Sequence, residues 1–159
     1  GGYASRRADC EAAAHTLGVA LLAEVTDLSA LDQLSGNPLK RARHVLTEIE
    51  RTKRAEIALL QGDLIHLGRL LNASHTSLSA DMEVSTPEVD RLTALAQATE
   101  GVFGARMMGG GFGGSIIALV EPDLAATALE AILETYSAYL GQRPGAFVVR
   151  AAAGAGEVL

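Results

Sequence analysis

A single cysteine, Cys10, excludes an intrachain disulfide and suits a reducing compartment. Basic side chains are in the minority, 13 against 19 acidic ones. The resulting formal net charge of −6 argues against nucleic acid or an anionic membrane surface as a partner. No apolar run approaches the roughly eighteen residues of a membrane span, and no signal-peptide pattern opens the chain. These absences predict a cytoplasmic protein with no nucleic-acid or membrane partner. An initiator Met is also missing. The opening "GGYASRRADCEAAAHTLG" reads either as part of something longer or as a chain carrying two appended glycines.

What is present is the composition of a globular domain, 48% hydrophobic and 20% charged, and 159 residues suit one core spanning 1–159. Helical periodicity dominates the first hundred residues. A helix from about Arg6 to Leu17 places Cys10, Ala13, Ala14 and Leu17 on one face and ends at Gly18. Residues 38–61 read as a longer helix striped by Ala42, Val45, Ile49, Thr52, Ala55 and Leu59, stopped by Gly62. Asp63 caps the next, whose stripe is Leu64, Leu67, Leu71 and Leu78. "STPE" at 85–88 is a capping-box start leading to Val89, Leu92, Leu95, Ala96 and Thr99.

After residue 100 the period changes. "GSIIALV" is a short β-branched run that predicts a buried strand. Pro122 and Asp123 open a helix with Ala125, Ala128, Leu129, Ile132, Tyr136 and Leu140 inward, closed by Gly141, and "AFVVRA" at 146–151 predicts a last strand. The pattern is α+β, with a helical layer over a small sheet.

Between these halves lies "GVFGARMMGGGFGGSIIALV", with seven glycines in its first fourteen residues. Gly109, Gly111 and Gly114 satisfy G-x-G-x-x-G, but that dinucleotide fingerprint needs a helix to follow, and here a strand does. Gly109 and Gly114 also fit the P-loop spacing, yet Ser115 and Ile116 stand where Lys and Ser/Thr are required. What survives is strand, glycine loop, strand. It is either a hairpin turn needing positive φ angles, or bare backbone that must pass close to a nucleotide or another loop.

Other candidates read as structural. His44 beside Lys40, Arg41 and Arg43 reads as a solvated basic helix face rather than a phosphate site. His75 has no ligand partners at metal spacing and reads as a satisfied structural histidine, and Cys10 as inert core. "NAS" at 72–74 fits a glycosylation acceptor only in a secreted protein. Arg6 and Arg7 anchor a helix start.

"GARMMGGGFGGSIIALV" resembles the third motif of the galactose/homoserine/mevalonate/phosphomevalonate (GHMP) kinases, in the form typical of galactokinases. "YASRRADCEAAAHTLGV", "RARHVLTEIERT", "ALLQGDLIHLGRLLNASHTSL" and "DMEVSTPEVDRL" are similar to the C-terminal half of that family, in its order, from about Tyr3 to Val158. The resemblance implies a ferredoxin-like α+β C-terminal lobe of a two-lobed sugar kinase. Such enzymes use ATP and magnesium to convert galactose to galactose 1-phosphate. The family keeps its main sugar signature, its phosphate loop and its catalytic Asp in the N-terminal half, and none is found in this sequence. This chain is therefore expected to lack catalytic and metal-binding residues, to need an N-terminal lobe as partner, and to be inactive alone. A separated lobe is also expected to expose an apolar surface.

By the same resemblance Tyr3 contacts the sugar, and Met108, Gly109, Gly110, Gly111, Phe112, Gly113 and Gly114 form the loop that buttresses the nucleotide site. Asp81 and Glu83 fall in a helix-to-helix connection, not at the catalytic base. Met108 stands where the family usually has Thr, Ser115 where Cys is common, and Ala4 where Asn is frequent. Two alternatives stay open: a non-catalytic galactose sensor on the same scaffold, favoured by Met108, and another sugar kinase of the superfamily, such as one for N-acetylgalactosamine or arabinose.

Overall fold

The structure is a computed structural model that describes residues 2–152. Gly1 and residues 153–159, the ends of the expected 1–159 domain, lie outside the described residues. Five helices and one hairpin follow in the order α1 (Gly2–Thr16), α2 (Gly36–Gln61), α3 (Leu64–Ala80), α4 (Pro87–Gln97), β1 (Val102–Met107), β2 (Ile116–Val120) and α5 (Ala125–Leu140). This is the expected α+β arrangement, mostly helical with a small antiparallel sheet.

The helix ends follow the local chemistry. Gly18 takes a left-handed φ of 71°, and Val19 N–H donates back to the Ala14 carbonyl, closing α1 as a glycine C-terminus should. Gly62 and Gly141 close α2 and α5 in the same left-handed conformation. The Asp63 carboxylate accepts from His66 N–H, as predicted for a cap. Two starts differ. Helix α1 begins at Gly2, not Arg6, which brings Tyr3 onto its first turn. At α4 the cap is Thr86, whose hydroxyl accepts from Val89 N–H. The frame is therefore shifted by one from a Ser85 capping box, and Ser85 Oγ is buried with no hydrogen-bond partner.

Packing begins with small residues. Ala13 on α1 and Ala42 on α2 are both fully buried, so the two helices approach closely around Ala14, Leu22, Leu34 and Leu46. Leu22 opens a 3-10 turn, Leu22–Glu24, and Leu34 directly follows a second, Leu28–Gln33, both in the segment between the helices. Half-buried Cys10 packs against it, with its thiol pKa raised by burial, in keeping with an inert core position. The stripe expected along α2 holds at Ala42 but slips near the end. Ala58 is buried there, while Leu59 is 60% and Leu60 82% exposed. Together with Ile57 and Ile65, these form an exposed apolar area at the α2–α3 turn.

Helix α3 meets β1 through two glycines. A Cβ on Gly68 would lie 2.1 Å from the Phe103 carbonyl oxygen, and one on Gly104 would lie 2.1 Å from that of Gly68. A β-bulge at Phe103 sits at this crossing, between the Val102–Val120 and Gly104–Leu119 pairs.

On the edge of β1 away from β2, side chains replace a strand. Asn72 Oδ1 accepts from Ala105 N–H at 2.9 Å, Gln97 Nε2 donates to the Ala105 carbonyl at 2.9 Å, and His75 Nδ1 accepts from Met107 N–H at 3.2 Å. Asn72 is thus engaged inside the fold. The third strand expected at 146–151 does not form: these residues carry no strand pairing, and Phe147, Val148 and Val149 are exposed. The β1 edge offers them no ladder, because helix side chains already occupy it.

Candidate functional site

The glycine stretch folds as a hairpin with both strands where expected, but β2 is only partly covered, with Ile117 exposed, rather than the buried strand its β-branched run predicts. Met108 N–H donates to the Ser115 carbonyl at 3.0 Å and closes the base of the loop. Gly109, Gly111, Gly113 and Gly114 all take positive φ, and so does Phe112, at 61°. For a bulky residue that conformation is strained, so neighbours must hold it. They do: Phe112 N–H donates to the Val84 carbonyl at 2.6 Å, and its ring lies against the first turn of α1. A Cβ on Gly2 would stand 2.5 Å from that ring, and the Arg6 guanidinium lies 5.9 Å from its centroid. At Gly111 a Cβ would meet the Val84 carbonyl oxygen at 2.6 Å. A side chain at Gly109, Gly110, Gly113 or Gly114 would meet nothing within 4 Å. One side of the loop is therefore pressed onto the protein and the other is bare.

The fold thus brings the α1 turn that carries Tyr3 up to the tip of the glycine loop. Tyr3 is 68% exposed, Met108 50% and Phe112 46%, so all three offer surface to a ligand or another lobe.

The basic cluster on α2 is not a solvated face. Arg41 is fully buried: its Nε donates to Asp9 Oδ2 at 3.2 Å, its Nη2 to Glu83 Oε2 at 2.7 Å and its Nη1 to the Asp81 carbonyl. Lys40 pairs with Glu83 at 2.8 Å and Arg43 with Asp81 at 3.2 Å. Arg6 does not start a helix; its Nε and Nη2 donate to the Met82 and Glu83 carbonyls, both at 2.8 Å. Hydrogen bonds from Lys40 and Arg41 hold the Glu83 carboxyl down at about 2. Asp81 and Glu83 lie between α3 and α4, committed to these cations, so they make no magnesium site. Among the described residues no group of three His, Cys, Asp or Glu side chains is placed to hold a metal ion.

Both interior histidines are engaged through Nδ1. Ser77 Oγ donates to Asp81 Oδ2, so His44 Nδ1 is the donor to Ser77 across 3.0 Å. Because His75 Nδ1 accepts from Met107, its proton sits on Nε2, 3.3 Å from Asp90 Oδ1. Burial lowers both histidine pKa values, outweighing the nearby carboxylates. The unfolded chain therefore binds more protons than the folded one below about 6.5, and stability must fall as pH drops through that value. A lower thermal midpoint at about pH 5.5 than at about pH 8 is expected, with the difference shrinking in a His44→Gln/His75→Gln variant.

The family model "GHMP kinases C terminal" matches residues 55–138. The chain belongs to the GHMP kinase family. It is 41% identical to the galactokinase of Actinobacillus succinogenes over 164 residues, covering 97% of this chain and 42% of that protein. Against the human galactokinase the identity is 47% over 137 residues, 84% of this chain and 35% of that one. Galactose-complexed Lactococcus lactis galactokinase superposes with a TM-score of 0.83 at 37% identity, over 90% of this chain and 39% of that one. The chain thus spans about two fifths of the length of these relatives.

Among the described helices, none is long and apolar enough to cross a membrane. Sequence reasoning missed Arg41, Glu83 and the reach of Arg6. The only signal for them was a basic helix face and a basic pair with acidic residues elsewhere to meet them.

Proposed function

We propose that this chain is the C-terminal lobe of a galactokinase. Joined to an N-terminal lobe that supplies the catalytic Asp, the phosphate loop and the magnesium ligands, it phosphorylates galactose from ATP to give galactose 1-phosphate. The observation that carries this reading is the meeting of the Tyr3 turn with the glycine loop, through Gly2, Arg6 and Phe112, in a chain of this family.

Phosphoryl transfer is mainly positioning and charge stabilisation, so a lobe without a general base still contributes. The exposed Tyr3 phenol can donate to or accept from a sugar hydroxyl. The bare outer side of the loop, at Gly109, Gly110, Gly113 and Gly114, leaves room for a phosphate-binding element to seat against main chain.

The test is a chimera that fuses the N-terminal part of the Lactococcus lactis galactokinase to this chain. We expect galactose-dependent ADP formation by the chimera and none by the 159 residues alone. Turnover by the isolated chain, or a folded chimera that is silent, overturns the reading. A chimera that binds galactose without turnover supports the sensor alternative, for which half-exposed Met108 is the specific observation. In an active chimera, Tyr3→Phe is expected to raise the galactose KM about five- to tenfold, the worth of one hydrogen bond, with the ATP KM unchanged.

A further inference from the structure

Four successive main-chain carbonyls, those of residues 81 to 84, each receive a donor from another part of the chain. Arg41 on α2 donates to Asp81, Arg6 on α1 donates to Met82 and Glu83, and the glycine loop donates to Val84 through Phe112 N–H. The segment turns at Glu83, which holds a left-handed φ of 52° and whose carboxylate is gripped by Lys40 and Arg41. A non-glycine residue stays in that region only when its surroundings over-determine it. The loop, by contrast, has few means of placing itself. Its base is closed by Met108 and Ser115, while among the described residues its tip is held at Val84 and under the Phe112 ring, beside Arg6.

We propose that Arg6 and Arg41 are positioning residues for the glycine loop. With Glu83 they hold residues 81–84 as a rigid rail, and the rail sets where the loop tip stands relative to the α1 turn that bears Tyr3. Arg6 acts twice, gripping the rail and flanking the ring that hangs from it. Arginine suits this task because one planar guanidinium serves two adjacent carbonyls, which a lysine ammonium does not reproduce. That the rail lies beside a reaction centre rests on the galactokinase reading; the coupling between rail and loop does not.

The test is site-resolved amide hydrogen exchange by NMR on the 159-residue chain. Arg6→Gln, Arg6→Lys and Arg41→Lys are compared with the parent. We expect the Phe112 amide to exchange about tenfold faster or more in Arg6→Gln, with core amides at Ala96 and Ile132 within about threefold of the parent, and in Arg41→Lys to accelerate about tenfold more than those core amides do. Arg6→Lys should restore only part of the protection. A Phe112 amide that keeps its parent rate, or that changes only in step with Ala96 and Ile132, overturns the proposal. Should Arg41→Lys fail to fold, Arg6→Gln decides alone. No sugar or nucleotide enters this experiment, so its failure is separate from a silent chimera.

Discussion

Gly68→Ala is expected to lower the thermal midpoint by roughly 4–8 °C, although alanine is the better helix former. In an exposed helix that exchange would stabilise by about 1 kcal/mol. Here the new methyl would stand 2.1 Å from the Phe103 carbonyl oxygen and 2.8 Å from its Cβ. The first is main chain in a strand and cannot swing aside. To make room, α3 must lift from β1, which strains the hydrogen bonds that Asn72 and His75 accept from the Ala105 and Met107 amides. Overpacking of this kind costs about 3 kcal/mol, enough to outweigh the propensity gain. Arg69→Ala, at the exposed neighbouring position, serves as the control and should leave the midpoint nearly unchanged. A Gly68→Ala protein melting with the parent would show that α3 and β1 are not in backbone contact.

The other large effect is expected at Arg41. Replacing it with methionine keeps much of the volume but leaves the Asp9 and Glu83 carboxylates and the Asp81 carbonyl without their buried donor. Breaking a buried ion pair from one side costs about 3–5 kcal/mol, because the surviving charges stay desolvated. The partly exposed Asp9 and Glu83 carboxylates, at 20% and 37%, can regain some water, which places the loss toward the lower figure. Arg43→Met removes a half-exposed charge paired with Asp81, and should cost under about 1 kcal/mol. Urea unfolding of both variants gives the comparison. Adding Glu83→Gln to Arg41→Met should cost less than the sum of the two single changes, since the pair acts as a unit. Strict additivity, or equal losses at Arg41 and Arg43, would contradict the buried network.

The elements that carry local signals were legible in advance. Asp63, Gly62 and Gly141 mark their helix ends through hydrogen bonds or φ values that one residue can set alone. The glycine loop was legible as a hairpin because the β-branched run after it excludes a helix. Harder to see was anything that depends on a distant partner. Lys40, Arg41 and Arg43 have the same charge and sit within one turn, yet one is fully buried and two reach solvent. Only the position of the 81–83 segment decides which of them turns inward. The "STPE" frame slipped by one because Thr86, not Ser85, presents its hydroxyl to the first free amides. At the candidate site, Tyr3 and the loop were found by resemblance, whereas Arg6 and Glu83 join them through main-chain carbonyls that no side-chain pattern reveals.

The side chains along β1 carry a last consequence. Asn72, His75 and Gln97 engage the groups through which that strand would recruit a neighbour, so the hairpin can be extended in one direction only. Any strand added by a covalent extension, a partner lobe or another copy must dock beside β2, where Ile117 is 45% exposed. The sheet has a closed side and an open one, and its growth is polar in the sense that a crystal face poisoned by an adsorbate is polar.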